Sequence, residues 1–436
     1  MNEPVKMEGL EGMSTASIDQ SAREPDVAYL ALAAPDDHVH DRLARALIAA
    51  GAQLQRYGDG LKMPCREIDW KSILQTASAT LSITERHDIR LATILTGKGS
   101  AAMANAMFGA RRLDERLDQL SSEWLTDVLN RGGIAIHFQP LIQQPPGRLH
   151  GYEYFMRGID ATGDFIPPAK MFAAAGHLGL FARLDEMCRL AAISRAAALG
   201  LTGQLFLNFY PAAIYNPQTC LRNTITAIES AGIKPDQVTF EAPASHVDVD
   251  RTHLEGILRH CQSLGFKVAL KHVRAQEASL LALADLRLDY LKFDGDFLRR
   301  AAQSVPSTSS GEIHSASLGQ SHSTSSRETS DARLIREMTE AARQQGTMTI
   351  AGGIETEREM RFAFDAGIRL SQGFYHAMPT GEAIAPDAIQ EILRRGRDAY
   401  AASKGKPGGE SDKPWDISGL YQNLATLAHA PSRKSA

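Results

Sequence analysis

A chain of 436 residues, 43% hydrophobic and 22% charged, has room for two or three domains and a sizeable core. A formal net charge of −4 and a pI near 6.4 give no general electrostatic case for nucleic-acid binding. Cys65, Cys188, Cys220 and Cys261 are scattered without a Cys-x-x-Cys pair, which argues against a disulfide framework or zinc site and for reduced thiols. The opening MNEPVKMEGLEGM is acidic and polar, unlike a secretory signal, and no window approaches 18 apolar residues. The expectation is a cytoplasmic protein without a membrane span.

Residues 1–26 are polar and expected to be disordered. AYLALAAP then reads as a buried strand and HDRLARALIAAGAQL as an amphipathic helix. ATLSI (79–83) reads as a second strand, followed by RLATILTG and AAMANAMFGARRL, so a small α/β domain is expected over 27–112. AAPDD and LTGKGS faintly resemble a response-regulator receiver, though one with no aspartate at the phospho-acceptor position. A plain structural or dimerising domain is the favoured reading.

LDERLDQLSSEWLTDVLNRGG (113–133) reads as a helix ended by glycines. Strand and helix patterns then alternate. The strands are IAIHFQPLI, LHGYEYFMRG, LFLNFY, VTFEAPA, KVALKHV, YLKFD, MTIAGGI and LSQGFYH, with helices such as TCLRNTITAIESAG and RTHLEGILRHCQSLG between them. Roughly eight strands joined by helices predict a (β/α)8 barrel, here over 113–400. A serine-rich stretch breaks the rhythm at about 301–330 and reads as a flexible insertion. The tail, 401–436, is expected to be disordered.

In such a barrel the chemistry gathers at the carboxyl ends of the strands. Those ends carry Gln139, Glu153 with Arg157, Asn208, Glu241, Lys271 with His272, Lys292 with Asp294, Gly352 with Glu355, and Gln372. Glu153, Asn208 and Glu241 are oxygen donors of the kind that bind Mg²⁺. A buried carboxylate without a cation or a donor is costly, so each of these acids needs a partner.

HFQPLI, GYEYFMRG, FLNFYP, TFEAP, LGFKVAL, YLKFD, AGGIET and QGF, in this order, resemble the EAL-domain family over about residues 115–395. That family comprises bacterial cyclic-di-GMP phosphodiesterases and their catalytically silent relatives. The resemblance implies a TIM-like barrel whose first strand is antiparallel to the others. It matches Gln139 to a nucleotide-contacting glutamine and Arg157 to a phosphate-contacting arginine. Glu153, Asn208 and Glu241 match metal ligands, although EYF stands where the family has EAL. Lys292 matches a lysine near the attacking water, and Glu355 and Gln372 match a late glutamate and glutamine around the site.

The departures from the family point to a different function. Lys271 and His272 stand where the family has two adjacent aspartates, one of them a metal ligand, and Gly352 stands where it has a glutamate. VRAQEA replaces a glycine-containing loop. An ammonium and a divalent ion about 4 Å apart repel by several kcal/mol even at an effective dielectric near 20. Lys271 is therefore expected to reach Glu153 and Glu241 and replace the ion, leaving no competent metal centre and no cofactor. His272 beside a lysine reads as a hydrogen-bonding residue. Other readings stand beside the ligand roles: Gln139 could satisfy backbone groups, Lys292 could pair with Asp294 or Glu241, and Glu355 could cap a helix beside Thr356. The Tyr154–Phe155 pair could narrow the barrel mouth or simply be repacked core.

The expected function is a catalytically silent EAL-like cyclic-di-GMP receptor with an unidentified protein partner, and a homodimer is left open. The alternatives are an active phosphodiesterase using Mg²⁺ or Mn²⁺, and a protein-interaction regulator that has lost the nucleotide.

Overall fold

The computed structural model describes residues 27–65, 69–95, 109–143, 147–275, 286–304, 330–384 and 387–394. The chain start, most of AAMANAMFGARRL, residues 276–285, nearly all of the serine-rich stretch, and the tail lie outside the described residues. The chain forms two compact units, one of residues 1–135 with 157–184 and the other of 136–156 with 185–436. Among the described residues no helix is long and apolar enough to cross a membrane.

The first unit is built on a five-stranded sheet. Strand β1 (Val27–Ala33) leads into α1 (Asp37–Ala49), whose first turn is capped by Asp36, which accepts the Val39 N–H at 2.9 Å. A short hairpin follows, β2 (Gln55–Tyr57) and β3 (Gly60–Pro64), turning at Gly58 with φ +55°, where a Cβ would be strained. Then come α2 (Trp70–Ser78), α3 (Ile83–Asp88), β4 (Arg90–Leu95) and β5 (Arg111–Arg112). The order is β2-β3-β1-β4-β5 and these pairings are antiparallel. A receiver has a parallel, doubly wound sheet, so the receiver likeness is corrected.

The ATLSI strand is corrected too. Thr80 donates to Ala77 O at 2.8 Å, and Ser82 with Glu85 forms a capping box that starts α3. Side chains that satisfy local backbone groups in this way compete with strand pairing. Leu30, Leu32, Leu43, Leu47, Leu74 and Leu91 lie in the core of this unit. The single helix expected over 113–133 is two, α4 (Leu113–Ser122) and α5 (Trp124–Asn130), and Leu113 and Leu120 join the same core.

The second sheet is a closed barrel with one short strand appended. Its strands are β6 (Ile134–Gln143), β7 (Arg148–Ile159), β9 (Gln204–Asn208), β10 (Val238–Pro243), β11 (Lys267–Val273), β12 (Tyr290–Phe293), β13 (Met348–Ala351) and β14 (Leu370–Ser371). A two-residue strand, β8 (Phe165–Ile166), pairs antiparallel with the end of β7. The order runs β6-β14-β13-β12-β11-β10-β9-β7, and pairing of β6 with β7 closes the ring. β6 runs antiparallel to β14, while the successive pairs from β7 through β14 are parallel.

Parallel neighbours need crossovers. These include α6 (Pro168–Leu178) and α7 (Phe181–Ala198) after β7, and α8 (Pro217–Cys220) and α9 (Arg222–Ser230) after β9. α10 (His246–Val249) and α11 (Arg251–Ser263) follow β10, α12 (Gly295–Ser304) and α13 (Ser330–Gln344) follow β12, and α14 (Glu357–Asp365) follows β13. β7 and β9 approach so closely that a Cβ on Gly151 would lie 1.9 Å from the Gln204 carbonyl oxygen, which only glycine permits.

Side chains alternate between the two faces of a strand. One inward layer of the barrel is apolar: Leu141, Phe206, Ala269, Tyr290, Ile350 and Leu370 are fully buried together. Leu141 sits two residues before Gln143, the register partner of Leu370, so its side chain shares that inward face.

Candidate active site

Two residues further toward the mouth, the same strands place a polar layer. The step takes Phe206 to Asn208, Ala269 to Lys271, Tyr290 to Lys292, Ile350 to Gly352 and Leu370 to Gln372. On antiparallel β6 the step runs backward, from Leu141 to Gln139. Register adds Glu153, paired with Phe206, and Glu241, paired with both Asn208 and Ala269. The periodicity that fills the core therefore collects these side chains in one ring.

At its centre are two carboxylates and two ammoniums. Lys292 donates to Glu153 Oε2 at 2.9 Å and lies 2.7 Å from Glu241 Oε1, an ion pair at an angle outside hydrogen-bond geometry. Lys271 Nζ lies 3.4 Å from Glu153 Oε1 and 4.0 Å from Glu241 Oε2, and it donates a short hydrogen bond to Asn208 Oδ1. Asn208 in turn donates to Glu153 Oε1 at 3.1 Å and to the Tyr154 carbonyl at 3.0 Å. Both glutamates and Lys292 are buried, while the Lys271 side chain keeps 15% exposure.

Burial pushes the Glu153 carboxyl up, but Lys292 and Lys271 outweigh it and hold the group well below the usual carboxylate range. Glu241 goes the other way. Burial and the neighbouring Glu153 charge push it up to about 7 against the pull of Lys292 and Lys271. Burial opposes the charge on Lys292, yet Glu153 and Glu241 raise its pKa overall.

An irregularity in β11 accompanies Lys271 and His272. The β11–β12 register shifts between Leu270 and Val273, and His272 within it has φ +56°. Such a bulge redirects side chains: Lys271 keeps the inward face of Ala269, while His272 is exposed with Nδ1 3.7 Å from Asp294 Oδ2. Arg274 donates to the same Asp294 oxygen at 3.2 Å, and Asp294 Oδ1 accepts the Asp296 N–H at 3.1 Å at the start of α12.

Gln139 is buried and its amide donates to the Ala377 carbonyl at 2.8 Å. Gln372 is buried beside Glu153, and its amide nitrogen has no hydrogen-bond partner among the described residues. Arg157 is half-buried, four residues past Glu153 on β7. Glu355 is largely exposed, 3.4 Å from Arg299, and does not cap α14. Thr356 and Glu359 form that capping box. A Cβ on Gly352 would meet the Phe293 carbonyl oxygen at 2.7 Å and Lys292 Cγ at 3.2 Å.

Two supports were not foreseen from the sequence. Tyr154 is buried and donates to the Asn208 carbonyl at 3.0 Å, so it braces the wall. Behind the wall, Asp185 and Arg189 form a fully buried pair on α7. Asp185 accepts the Tyr210 N–H at 3.2 Å just past β9, and Arg189 donates to Thr224 at 3.1 Å. The i,i+4 Asp and Arg of LDEMCRLAA were the available signal.

The class defined so far is a (β/α)8 barrel with an ionised ring at its carboxyl-end mouth. The EAL domain description matches residues 122–379, more than half of the chain. The chain belongs to the EAL domain family.

Curated relatives include the cyclic di-GMP phosphodiesterase NbdA of Pseudomonas aeruginosa, 23% identical over 352 residues, covering 78% of this chain and 41% of that protein. Another is the bifunctional diguanylate cyclase/cyclic di-GMP phosphodiesterase MucR of the same species, 23% identical over 268 residues, covering 58% and 34%. The chain spans about a third to under a half of the length of such relatives. Among solved structures, the Xanthomonas citri FimX EAL domain in complex with c-diGMP is 22% identical with a TM-score of 0.51, covering 62% of this chain and 96% of that one. The Bacillus subtilis YkuI protein, solved with c-di-GMP and calcium, is 17% identical with a TM-score of 0.51, covering 70% and 66%. At these identities the likeness is one of fold.

The family implies a divalent metal, and the donor set does not fit one. Glu153, Asn208 and Glu241 converge on the Lys271 ammonium, a fixed cation where an ion would need open oxygen lone pairs.

Proposed function

We propose that this protein is a catalytically silent cyclic-di-GMP receptor, a regulator that binds the nucleotide at the barrel mouth without hydrolysing it. One observation carries the reading: the Lys271 amine contacts Asn208 and Glu153 and lies 4.0 Å from Glu241. Metal-assisted phosphodiester hydrolysis uses a cation that lowers the pKa of bound water and takes up developing charge. An ammonium has no vacant coordination position for water. With two carboxylates and two ammoniums, the ring is also formally neutral, which removes the electrostatic demand for an ion. Bound nucleotide would shift the relation of the barrel to a partner surface by its differential affinity for the two states. The localisation is proposed to be cytoplasmic.

Calorimetric titration of cyclic-di-GMP with and without Mg²⁺, followed by product analysis, tests the reading. Saturable binding indifferent to Mg²⁺ with intact nucleotide is the expected outcome. Conversion to a linear dinucleotide returns the phosphodiesterase that the relatives' names suggest. Absence of binding leaves the interaction regulator, which is favoured by the engagement of Gln139 with Ala377 and of Lys292 with both glutamates.

A further inference from the structure

The two ammoniums of the inner ring, Lys271 and Lys292, are already engaged by Glu153, Glu241 and Asn208. Phosphate recognition at this mouth can then draw on hydrogen-bond donors outside the ring, and the bulge supplies two. His272 is exposed at the carboxyl end of β11, Arg274 follows with a half-exposed side chain, and both converge on one oxygen of the buried Asp294.

The backbone is held there under strain. His272 has φ +56°, and among the described residues the only other non-glycine residue with positive φ is Arg287. An imidazole costs more than a glycine at that conformation. Bulges and strained non-glycine residues gather where a side chain must be aimed. Packing does not account for the cost, since the His272 side chain is 60% exposed. The Asp294 anchor is itself fixed, because its other oxygen accepts the N–H groups of Asp296 and Phe297 at 3.1 and 3.4 Å.

We propose that His272 and Arg274, side by side against Asp294 on the 271–274 bulge, form a phosphodiester-binding clamp that anchors the ligand without a metal. The clamp rests on the receptor reading above and adds the residues that carry it. A guanidinium has five N–H donors in a rigid fork and can serve a carboxylate and a phosphate together. The imidazole adds one directional donor beside it.

The test is titration of cyclic-di-GMP into the whole chain and into its His272→Ala, His272→Gly and Arg274→Ala variants, with thermal unfolding in parallel. Lys267→Ala, at the opposite end of β11, serves as the control. Loss of a hydrogen bond to a charged group should weaken binding about tenfold to a hundredfold in each clamp variant, and Lys267→Ala should bind as wild type. His272→Gly should lose the same affinity as His272→Ala yet unfold at a higher temperature, because glycine is at ease at φ +56°. A histidine that only shaped the bulge would show the stability difference without the affinity loss. If His272→Gly and Arg274→Ala bind like wild type, the clamp is overturned while the receptor reading stands. If the wild type itself does not bind, both fall.

Discussion

The apolar layer of the barrel is filled by Phe206, Tyr290, Ile350 and their neighbours, while the layer two residues along the same strands holds Asn208, Lys292, Gly352 and the ions around them. The lower layer is stabilised by packing, which is non-directional and local. The upper layer is stabilised by matching charge, which is directional and collective. A methyl removed below leaves a cavity, whereas a charge removed above strands its partners. The comparison shows how one backbone repeat can carry a core and a site in adjacent layers.

The largest effects separate the layers. Phe206→Ala and Lys292→Met should each cost about 3–5 kcal/mol in chemical unfolding of the whole chain. Only the second loss should be repaired by adding Glu241→Gln, which removes one of the two stranded carboxylates. Equal behaviour of the two double mutants would erase the distinction between the layers. Lys271→Met should cost less, about 1–3 kcal/mol, since that side chain keeps some exposure and water can reach the acids it leaves.

Acidity sharpens the comparison next. Glu241 has its pKa raised in the folded state to about 7, so between its ordinary value and that pH the folded protein binds more protons than the unfolded chain. Its contribution to stability therefore falls as pH rises through this window. Glu241→Gln should flatten that fall, becoming more favourable relative to wild type at pH 8 than at pH 5. A difference that shrinks with rising pH would contradict the assignment. Glu153 works in the opposite sense, and its contribution is lost as pH falls below the ordinary carboxylate range. The smallest effects lie at the rim. Glu355→Ala should stay within about 0.5 kcal/mol, while Thr356→Ala, which removes a helix cap, should cost about 1 kcal/mol.

The barrel was legible because parallel strands buried on both faces read as continuous apolar runs. LFL (205–207) and VAL (268–270) are such runs, and the charged residues of the ring stood out against them. Partner choice was less legible. Lys292 was equally close in sequence to Asp294, but strand order sets it against Glu153 and Glu241 and leaves Asp294 to Arg274 and His272. Gln139 bonds a carbonyl 238 positions away, which no local pattern encodes. In the first unit the QRYGDGLKMP hairpin is too short and polar to show a period of two, and its Gly58-Asp59 turn was the unused signal. ATLSI misled because its serine and threonine hydroxyls serve helix ends.

The central claim is that a fixed amine stands in the place of a divalent ion. Calorimetric titration of Mn²⁺ into the whole chain and its Lys271→Asp variant tests it most directly. The account expects no saturable binding by the wild type, and a site gained in Lys271→Asp that is lost again when Glu153→Gln is added. One equivalent of Mn²⁺ bound by the wild type and abolished by Glu153→Gln would contradict it.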